Sequence, residues 1–281
     1  VFHRQEGDLH PKEAGVWVAI WTTLALLFAV ALWRFEGRDT SLTFLTGYVI
    51  EESLSVDNLF VMVVIFNYFA VPGVCQHRVL FYGILGALIM RGIFIGLGAA
   101  LLTRFDWILY VFGAMLLFTG IRMLFKHDEE FEGESNPVVR LVRRFVPLTP
   151  EFHGRHFAVQ QAGKWVATPL LLVLILIEFT DLIFAVDSIP AIFGITRDPF
   201  LVFTSNVFAI LCLRSLYFGL AGLIQKFRYL KVSLALVLAI VGVKMLAGEW
   251  IAGWLGESAN FWLLAIIFVV LLGGGVGSWL A

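Results

Sequence analysis

Long apolar stretches dominate this chain, and its polar residues are concentrated in one central segment. A helix of about 20 apolar residues crosses the roughly 30 Å hydrocarbon core of a bilayer. Eight stretches are long enough to do so, and they lie near residues 15–34, 43–70, 79–102, 107–125, 166–195, 200–223, 231–248 and 260–280. The pattern predicts an all-α, polytopic membrane protein with about eight transmembrane helices.

The hydrophilic segment, residues 126–165, divides these helices into two halves. It is rich in charged residues and contains three prolines, so we interpret it as a linker. The predicted parts are a polar N-terminal segment, an extra transmembrane helix, a first group of three helices, the linker, a second group of three helices and a C-terminal helix. Their boundaries are 1–14, 15–34, 43–125, 126–165, 166–248 and 249–281.

The two groups of three helices repeat one pattern of polar residues. Each has two acids six residues apart, an amide or hydroxyl residue after the second acid, and an arginine one helix later. The matched pairs are Glu51 with Asp181, Asp57 with Asp187, Asn58 with Ser188, and Arg91 with Arg214. Because each group holds three helices, the second is expected to enter the membrane from the opposite side. Inverted repeats are typical of alternating-access transporters with a midplane site, whereas a duplication without a transport role is the alternative.

Composition supports a membrane protein, and the distribution of charge predicts its orientation. Hydrophobic residues make up 60% and charged residues 15% of the chain, against about 45–50% and 25% in soluble domains. The net charge of -1 gives no reason to expect a nucleic-acid partner. Twelve Lys and Arg residues lie on the predicted side of the N-terminus and four on the other side. Because cytoplasmic loops are enriched in these residues, the linker and the C-terminus are predicted to be cytoplasmic.

Acidic residues within the predicted spans are the main candidates for function. Each charge inside a span costs about 2.5 to 3.5 kcal/mol on insertion scales. Arg91 and Arg214 are predicted to form supporting ion pairs, but two arginines cannot neutralise six acids. The excess of carboxyl groups implies protonation or a bound cation, and a purely structural set of ion pairs is the alternative. The six acids are Glu51, Glu52, Asp57, Glu178, Asp181 and Asp187.

The spacing of these acids predicts an irregular backbone. Six residues turn a regular helix by about 240°, so two acids at this spacing would not converge on one ion. We therefore expect unwinding near Ser53 and Ser55 in the first repeat, and near Thr180, Ser188 and Pro190 in the second.

The donor atoms predict the kind of ion. Oxygen ligands suit hard cations such as Mn²⁺, Ca²⁺ or Mg²⁺, whereas the lack of thiolate or imidazole argues against Zn²⁺ and Cu⁺. Glu52 is the weakest candidate because Leu182 stands at the matching position. The candidate metal-binding residues are Glu51, Asp57, Asn58, Glu178, Asp181, Asp187 and Ser188.

One stretch of the linker, residues 138–146, has the pattern of a short amphipathic helix. Its arginines fall on one helical face and its apolar residues on the others. Such a helix would lie at the membrane interface, and a solvated basic stretch is the alternative.

The long motifs of the two acidic helices resemble those of the TerC/Alx family of bacterial membrane proteins. The segments that carry the resemblance are Leu45 to Asn58 and Glu178 to Ala191, and the match extends over nearly all of residues 45–250. The resemblance implies a LysE-like transporter architecture in the bacterial inner membrane. It also implies manganese transport served by Glu51, Asp57, Glu178, Asp181 and Asp187. The family usually has a further N-terminal hydrophobic helix, so we expect the chain to be a fragment.

Taken together, the residues and the resemblance predict export of Mn²⁺ from the cytoplasm by alternating access, with protons as a possible counter-ion. Ca²⁺ and Fe²⁺ remain candidate substrates, and the sequence leaves the oligomeric state open. Two other functions are compatible with the pattern: a metal-binding membrane scaffold or maturation factor, and an amino-acid exporter of the LysE-like class. We expect no resident cofactor. We also expect no enzymatic activity, because no pair of a nucleophile and a base has an enzyme-like sequence context.

Overall fold

The computed structural model describes residues 11–125, 136–161, 163–220, 230–248, 250 and 259–280. Most of these residues are helical, and a two-stranded antiparallel hairpin precedes the second half. The elements are α1 (Pro11–Glu36), α2 (Arg38–Tyr68), α3 (Gly73–Arg104), α4 (Ile108–Phe125), α5 (Pro137–Phe145), β1 (Ala158–Gln161), β2 (Lys164–Ala167), α6 (Pro169–Phe193), α7 (Pro199–Leu220), α8 (Leu230–Leu246) and α9 (Ala259–Leu280). The all-α fold class is confirmed, with the hairpin as an addition that the sequence pattern did not predict.

Helices occupy all eight predicted spans, and six of those described are long and apolar enough to cross a membrane. These six are α1, α3, α4, α6, α7 and α9. The helix α2 differs because Glu51, Glu52 and Asp57 lie along its length, and α8 has only 17 residues. The chain is therefore a polytopic membrane protein, and the total of eight membrane crossings stays a prediction.

Local sequence explains where several helices begin. A single residue, Gly37, separates α1 from α2, and its φ of 100° lies in the left-handed region that glycine adopts readily. Proline stands at the first position of α5 and of α6, where its missing N–H removes no helical hydrogen bond. In α5 the Asn136 side chain also accepts a hydrogen bond from the backbone N–H of Val138 at 2.9 Å.

The helices of the two halves pack against each other in an exchanged pattern. Helix α2 contacts α7, α3 contacts α6, and α4 contacts α8. A twofold relation between the two groups of three helices would produce these pairings. Helix α1 lies against α2 and α7, while α9 lies against α2 and α8.

Glycines allow α4 and α8 to approach at backbone distance. A Cβ atom added to Gly120 would lie 2.7 Å from the carbonyl oxygen of Ala235, and one added to Gly242 would lie 2.9 Å from that of Gly113. When the third helices of the two repeats are aligned, Gly120 matches Gly242 and Gly113 matches Ala235. The two contacts are therefore equivalent under exchange of the repeats.

The described part of the linker folds onto the start of the second half. The apolar face of α5, formed by Val138, Val139 and Val142, is buried against the protein core. Its arginines are exposed. Near the hairpin, the Arg78 guanidinium at the start of α3 donates to the carbonyl oxygen of Arg155. Protein thus covers the three valines of the predicted amphipathic helix, whereas Leu141 and Phe145 of the same helix are exposed.

The expected unwinding of the acidic helices is wrong for this structure. Helices α2 and α6 are continuous through the proposed break points, and Pro190 lies within α6. The hydroxyls of Ser53 and Thr180 instead donate to carbonyl oxygens one turn earlier in their own helices, at 2.5 and 2.8 Å. Such bonds satisfy a hydroxyl in an apolar environment without breaking the helix.

Candidate functional site

A buried cluster of polar side chains surrounds Arg91 between four helices. Arg91 is 4% exposed, and its Nη1 donates to Glu51 Oε2 at 2.6 Å. Its Nη2 and Nε donate to the two carboxylate oxygens of Asp181, at 3.1 and 3.3 Å. Two further acceptors of Nη1 are Ser188 Oγ at 3.3 Å and Asn206 Oδ1 at 3.0 Å. Helix α3 thus supplies the cation, and α2, α6 and α7 supply its acceptors.

Two amides complete the bonding of the carboxylates. Asn206 Nδ2 donates to Glu51 Oε1 at 2.7 Å, and Asn58 Nδ2 donates to Asp181 Oδ1 at 2.7 Å. Both amide residues are almost fully buried. The two carboxylates share Arg91 as a charged donor, and each also accepts a hydrogen bond from an amide, in a region of low dielectric constant.

A narrow pocket adjoins this cluster between α2, α3, α6 and α7. The space inside it that the centre of a water molecule can occupy is about 10 Å³, close to the minimum needed for one water. Its polar lining residues are Ser55, Asn58, Arg91, Glu178 and Asp181. Most of the other lining side chains are aliphatic, and among the polar ones Asn58 and Arg91 both bond Asp181.

One oxygen in this pocket is available for a ligand. Asn58 is 2% exposed, and its Oδ1 is buried without a hydrogen-bond partner among the described residues. A buried polar atom without a partner costs about 1 to 3 kcal/mol, so its occurrence calls for an explanation. Glu178 is half-buried nearby. Its carboxylate lies where a Cβ atom at Gly86 would be, so this glycine makes room for the acid.

The structure brings some predicted site residues together and separates others. Glu51, Asp181 and Ser188 bond Arg91, while Asn58 and Glu178 line the pocket. Asp187 accepts a hydrogen bond from Thr119 Oγ1 of α4 at 3.2 Å instead. Neither Asp57 nor Asp187 lines the pocket. Because Asp57 and Asp187 hold matching positions in the two repeats, we predict that they share one coordination sphere, and this stays a prediction.

The second arginine, Arg214, lies in a different environment from Arg91. Its Nη2 is 3.2 Å from Nδ1 of His77, near the start of α3. The His77 ring stacks on Phe218 with 4.0 Å between the ring centres. The repeat predicted that Arg214 supports an acid, whereas no pattern in the sequence pointed to His77 as a partner.

Two further residues lie outside the predicted ligand set. Asn206, which the sequence already offered as a further neutral oxygen because it stands within an apolar span, bonds both Arg91 and Glu51. Glu52 Oε2 is buried and has no hydrogen-bond partner within the described part of the chain.

Across the described ranges, no three His, Cys, Asp or Glu side chains are close enough together to hold a metal ion. A bound ion would therefore need amide and hydroxyl oxygens or a rearrangement.

Comparison with known proteins identifies the family. The sequence model of the TerC integral membrane protein family matches residues 36–277. An uncharacterized membrane protein of Myxococcus xanthus, STKORF319, is 52% identical over 245 residues, which cover 87% of this chain and 77% of that protein. The Escherichia coli K12 protein named putative membrane-bound redox modulator Alx is 51% identical over 243 residues, covering 84% and 76% of the two chains.

A protein of Photorhabdus laumondii with the same name is 45% identical over 280 residues, covering 95% of this chain and 87% of its own. No solved structure matches the chain. The family match spans both acidic helices and the arginine between them. The chain therefore belongs to the TerC family of integral membrane proteins, with Alx proteins among its relatives.

Proposed function

We propose that this protein exports Mn²⁺ across the bacterial inner membrane and that the pocket beside Arg91 is part of its ion path. The observation that carries the proposal is the oxygen Oδ1 of Asn58, which is buried, without a partner among the described residues, and beside two acids. Amide and carboxylate oxygens at one point in an apolar membrane region favour a hard cation.

The charge of the site supports a cationic substrate. Glu51 and Asp181 share a single guanidinium, and Glu178 adds a third carboxyl group at the pocket. One arginine leaves this group short of positive charge when the acids are ionised, and a dication would supply it. We propose Asn58, Glu178 and Asp181 as the first ligands. Glu51, Asp57, Asp187 and Ser188 remain candidates for later steps.

Alternating access is the proposed mode of transport. The exchanged packing of the helices, α2 on α7 and α3 on α6, is what two inverted repeats would produce. The pocket has room for about one water, which is the size expected for a closed state. In alternating access, such a state would open to each side of the membrane in turn. The excess of basic residues on one side leads us to place the linker and the C-terminus in the cytoplasm.

The proposal is tested by measuring Mn²⁺ movement in proteoliposomes that contain the purified protein. We expect the parental protein to move Mn²⁺ down an imposed gradient, and Glu178→Gln to slow this at least about tenfold because it removes a charge from the pocket. Asp106→Asn is the matched control, since Asp106 is an exposed acid paired with Arg197. Parental protein that binds Mn²⁺ but moves none would instead indicate a scaffold or maturation factor.

Amino-acid export is distinguished in the same vesicles by competition. An excess of amino acids that blocks Mn²⁺ movement, or that is itself transported, would contradict the proposed substrate. Ca²⁺ and Fe²⁺ are tested as competitors of Mn²⁺ movement in parallel measurements. The strongest competitor indicates the class of ion that the protein transports.

Proton exchange is the proposed coupling. A dication that leaves the acidic pocket uncovers negative charge in a low-dielectric region, so proton binding becomes favourable there. The apparent affinity for Mn²⁺ is therefore expected to fall as the pH is lowered. A pH-sensitive dye inside the vesicles should report proton movement opposite to Mn²⁺. Metal movement with a constant internal pH would contradict the coupling while leaving export intact.

A further inference from the structure

The acceptors around Arg91 form a cage of the kind that binds a metal ion. Five oxygen atoms surround its guanidinium at distances of 2.6 to 3.3 Å, and they come from three helices. They belong to two carboxylates, a hydroxyl and an amide. Ca²⁺ and similar hard dications take six to eight oxygens of these same types. The guanidinium thus occupies a place that is chemically equivalent to a cation site.

We propose that Arg91 is a tethered cation that competes with the transported ion for Asp181. The proposal rests on the export function and deepens it, because it gives Arg91 a part in releasing the ion. In the present arrangement Glu51 and Asp181 share the single positive charge of Arg91. When a dication binds at Asn58, Glu178 and Asp181, the guanidinium loses its two bonds to Asp181 and keeps the bond to Glu51.

Asp181 is the residue at which the two cations meet. Its Oδ1 accepts bonds from both Arg91 Nη2 and Asn58 Nδ2, and its carboxylate lines the pocket. A dication on this carboxylate would lie only a few ångströms from the guanidinium. Like charges at such a distance repel strongly in a region of low dielectric constant. Arg91 and the ion therefore cannot both hold Asp181.

The helix arrangement permits Arg91 to withdraw. Arg91 lies on α3, whereas all of its acceptors lie on α2, α6 and α7. Helix α3 packs on α6 through glycines, with Gly86 against Glu178 and Gly98 against Phe193. Small sliding movements of packed helices are a common form of conformational change. A shift of α3 relative to α6 would break the two bonds from the guanidinium to Asp181 while the bond to Glu51 on α2 is kept.

The test measures Mn²⁺ binding to purified Arg91→Gln and parental protein in detergent. A site that is occupied by an internal competitor binds its ligand more weakly, in proportion to the fraction of molecules with the site available. We expect Arg91→Gln to bind Mn²⁺ at least about tenfold more tightly than the parental protein and to release it more slowly in vesicles. Equal or weaker binding by folded Arg91→Gln would overturn the proposal.

A second pair of variants keeps the test decisive if Arg91→Gln does not fold. The double variant Glu51→Gln/Arg91→Gln removes one charge of each sign from the cluster. It is compared with Glu51→Gln alone, and tighter Mn²⁺ binding by the double variant supports the competition. Binding no tighter than that of Glu51→Gln would overturn it. Arg122→Gln is the control, because Arg122 is an exposed arginine near the end of α4 and should leave Mn²⁺ binding unchanged.

Failure of this proposal is distinguishable from failure of the export function. Mn²⁺ transport by the parental protein, without tighter binding after Arg91 is replaced, leaves export intact and shows that Arg91 is only a structural support. Absence of both binding and transport in every variant overturns the two proposals together.

Discussion

Arg91 and Arg214 occupy matching positions in the two repeats, but they are bound in different ways. Arg91 is 4% exposed and donates to four side chains, including two carboxylates. Arg214 is partly buried and lies against the ring of His77 near the start of α3. A repeated arginine has thus kept its position in the helix while its partners have diverged. Only the first copy lies within the acidic cluster.

A second matched pair shows the same divergence. The alignment places Tyr48 opposite Glu178 and Ala209 opposite Gly86. Glu178 packs against Gly86 and lines the polar pocket. Tyr48 and Ala209 instead belong to one buried apolar cluster beside α1. The position between Glu178 and Gly86 is therefore part of a polar pocket, whereas the equivalent position between Tyr48 and Ala209 is part of an apolar cluster. Among the described residues, the pocket beside Glu178 has no acidic counterpart at that position.

The interface between α4 and α8 has remained symmetric. Gly120 and Gly242 approach the partner helix at backbone distance from the two sides. Close contact between helices in a membrane depends on small residues, which explains why both copies have kept glycine here. The two repeats thus share their packing and differ in their polar chemistry.

The largest expected effect tests the difference between the arginines. Arg91→Leu leaves two buried carboxylates without their cation and should lower the free energy of unfolding by about 3 to 5 kcal/mol. Arg214→Leu removes one hydrogen bond in a partly buried region and should cost only about 1 kcal/mol. Unfolding in detergent micelles, titrated with denaturant, measures both values. Equal losses would mean that the two arginines are equivalent after all.

The symmetric interface provides the next prediction. A Cβ atom added at Gly120 or Gly242 would lie within 2.9 Å of backbone atoms of the partner helix. Gly120→Ala and Gly242→Ala should each lower the free energy of unfolding by about 1 to 3 kcal/mol, because backbone atoms cannot easily move away. The same unfolding measurement applies. Gly96→Ala is the matched control, because no atom lies within 4 Å of the added Cβ, and it should not destabilise the protein.

The smallest expected effect concerns the matched acids Asp57 and Asp187. Each Asp→Asn replacement removes one formal charge that attracts a dication, so each should slow Mn²⁺ export about tenfold, equivalent to about 1.4 kcal/mol. Initial rates in proteoliposomes measure this effect, with Asp106→Asn as the control. Parental rates in both variants would remove these acids from the ion path. A loss in one variant only would extend the asymmetry of the arginines to the acids.

Much of the fold could be predicted because membrane helices are specified locally. An apolar run of about 20 residues has few alternatives to a helix in a bilayer, where each backbone polar group needs an internal partner. The linker hairpin was missed because its strands are only four residues long and are exposed at most positions. The expected unwinding was wrong because hydroxyls bonded within their own helices in place of freeing carbonyls for an ion.

The sequence by itself determined the membrane class, the helix positions, the repeated acids and the family. These properties follow from composition and from residue order. Only the tertiary structure decided which acids meet, because that depends on the rotation and packing of helices that are distant in sequence. Along continuous α2, the spacing of Glu51 and Asp57 places them on different faces, and only Glu51 bonds Arg91. Contact between α2, α3, α6 and α7 then assembles Arg91, Asp181 and Asn206 into one cluster that no local pattern specifies.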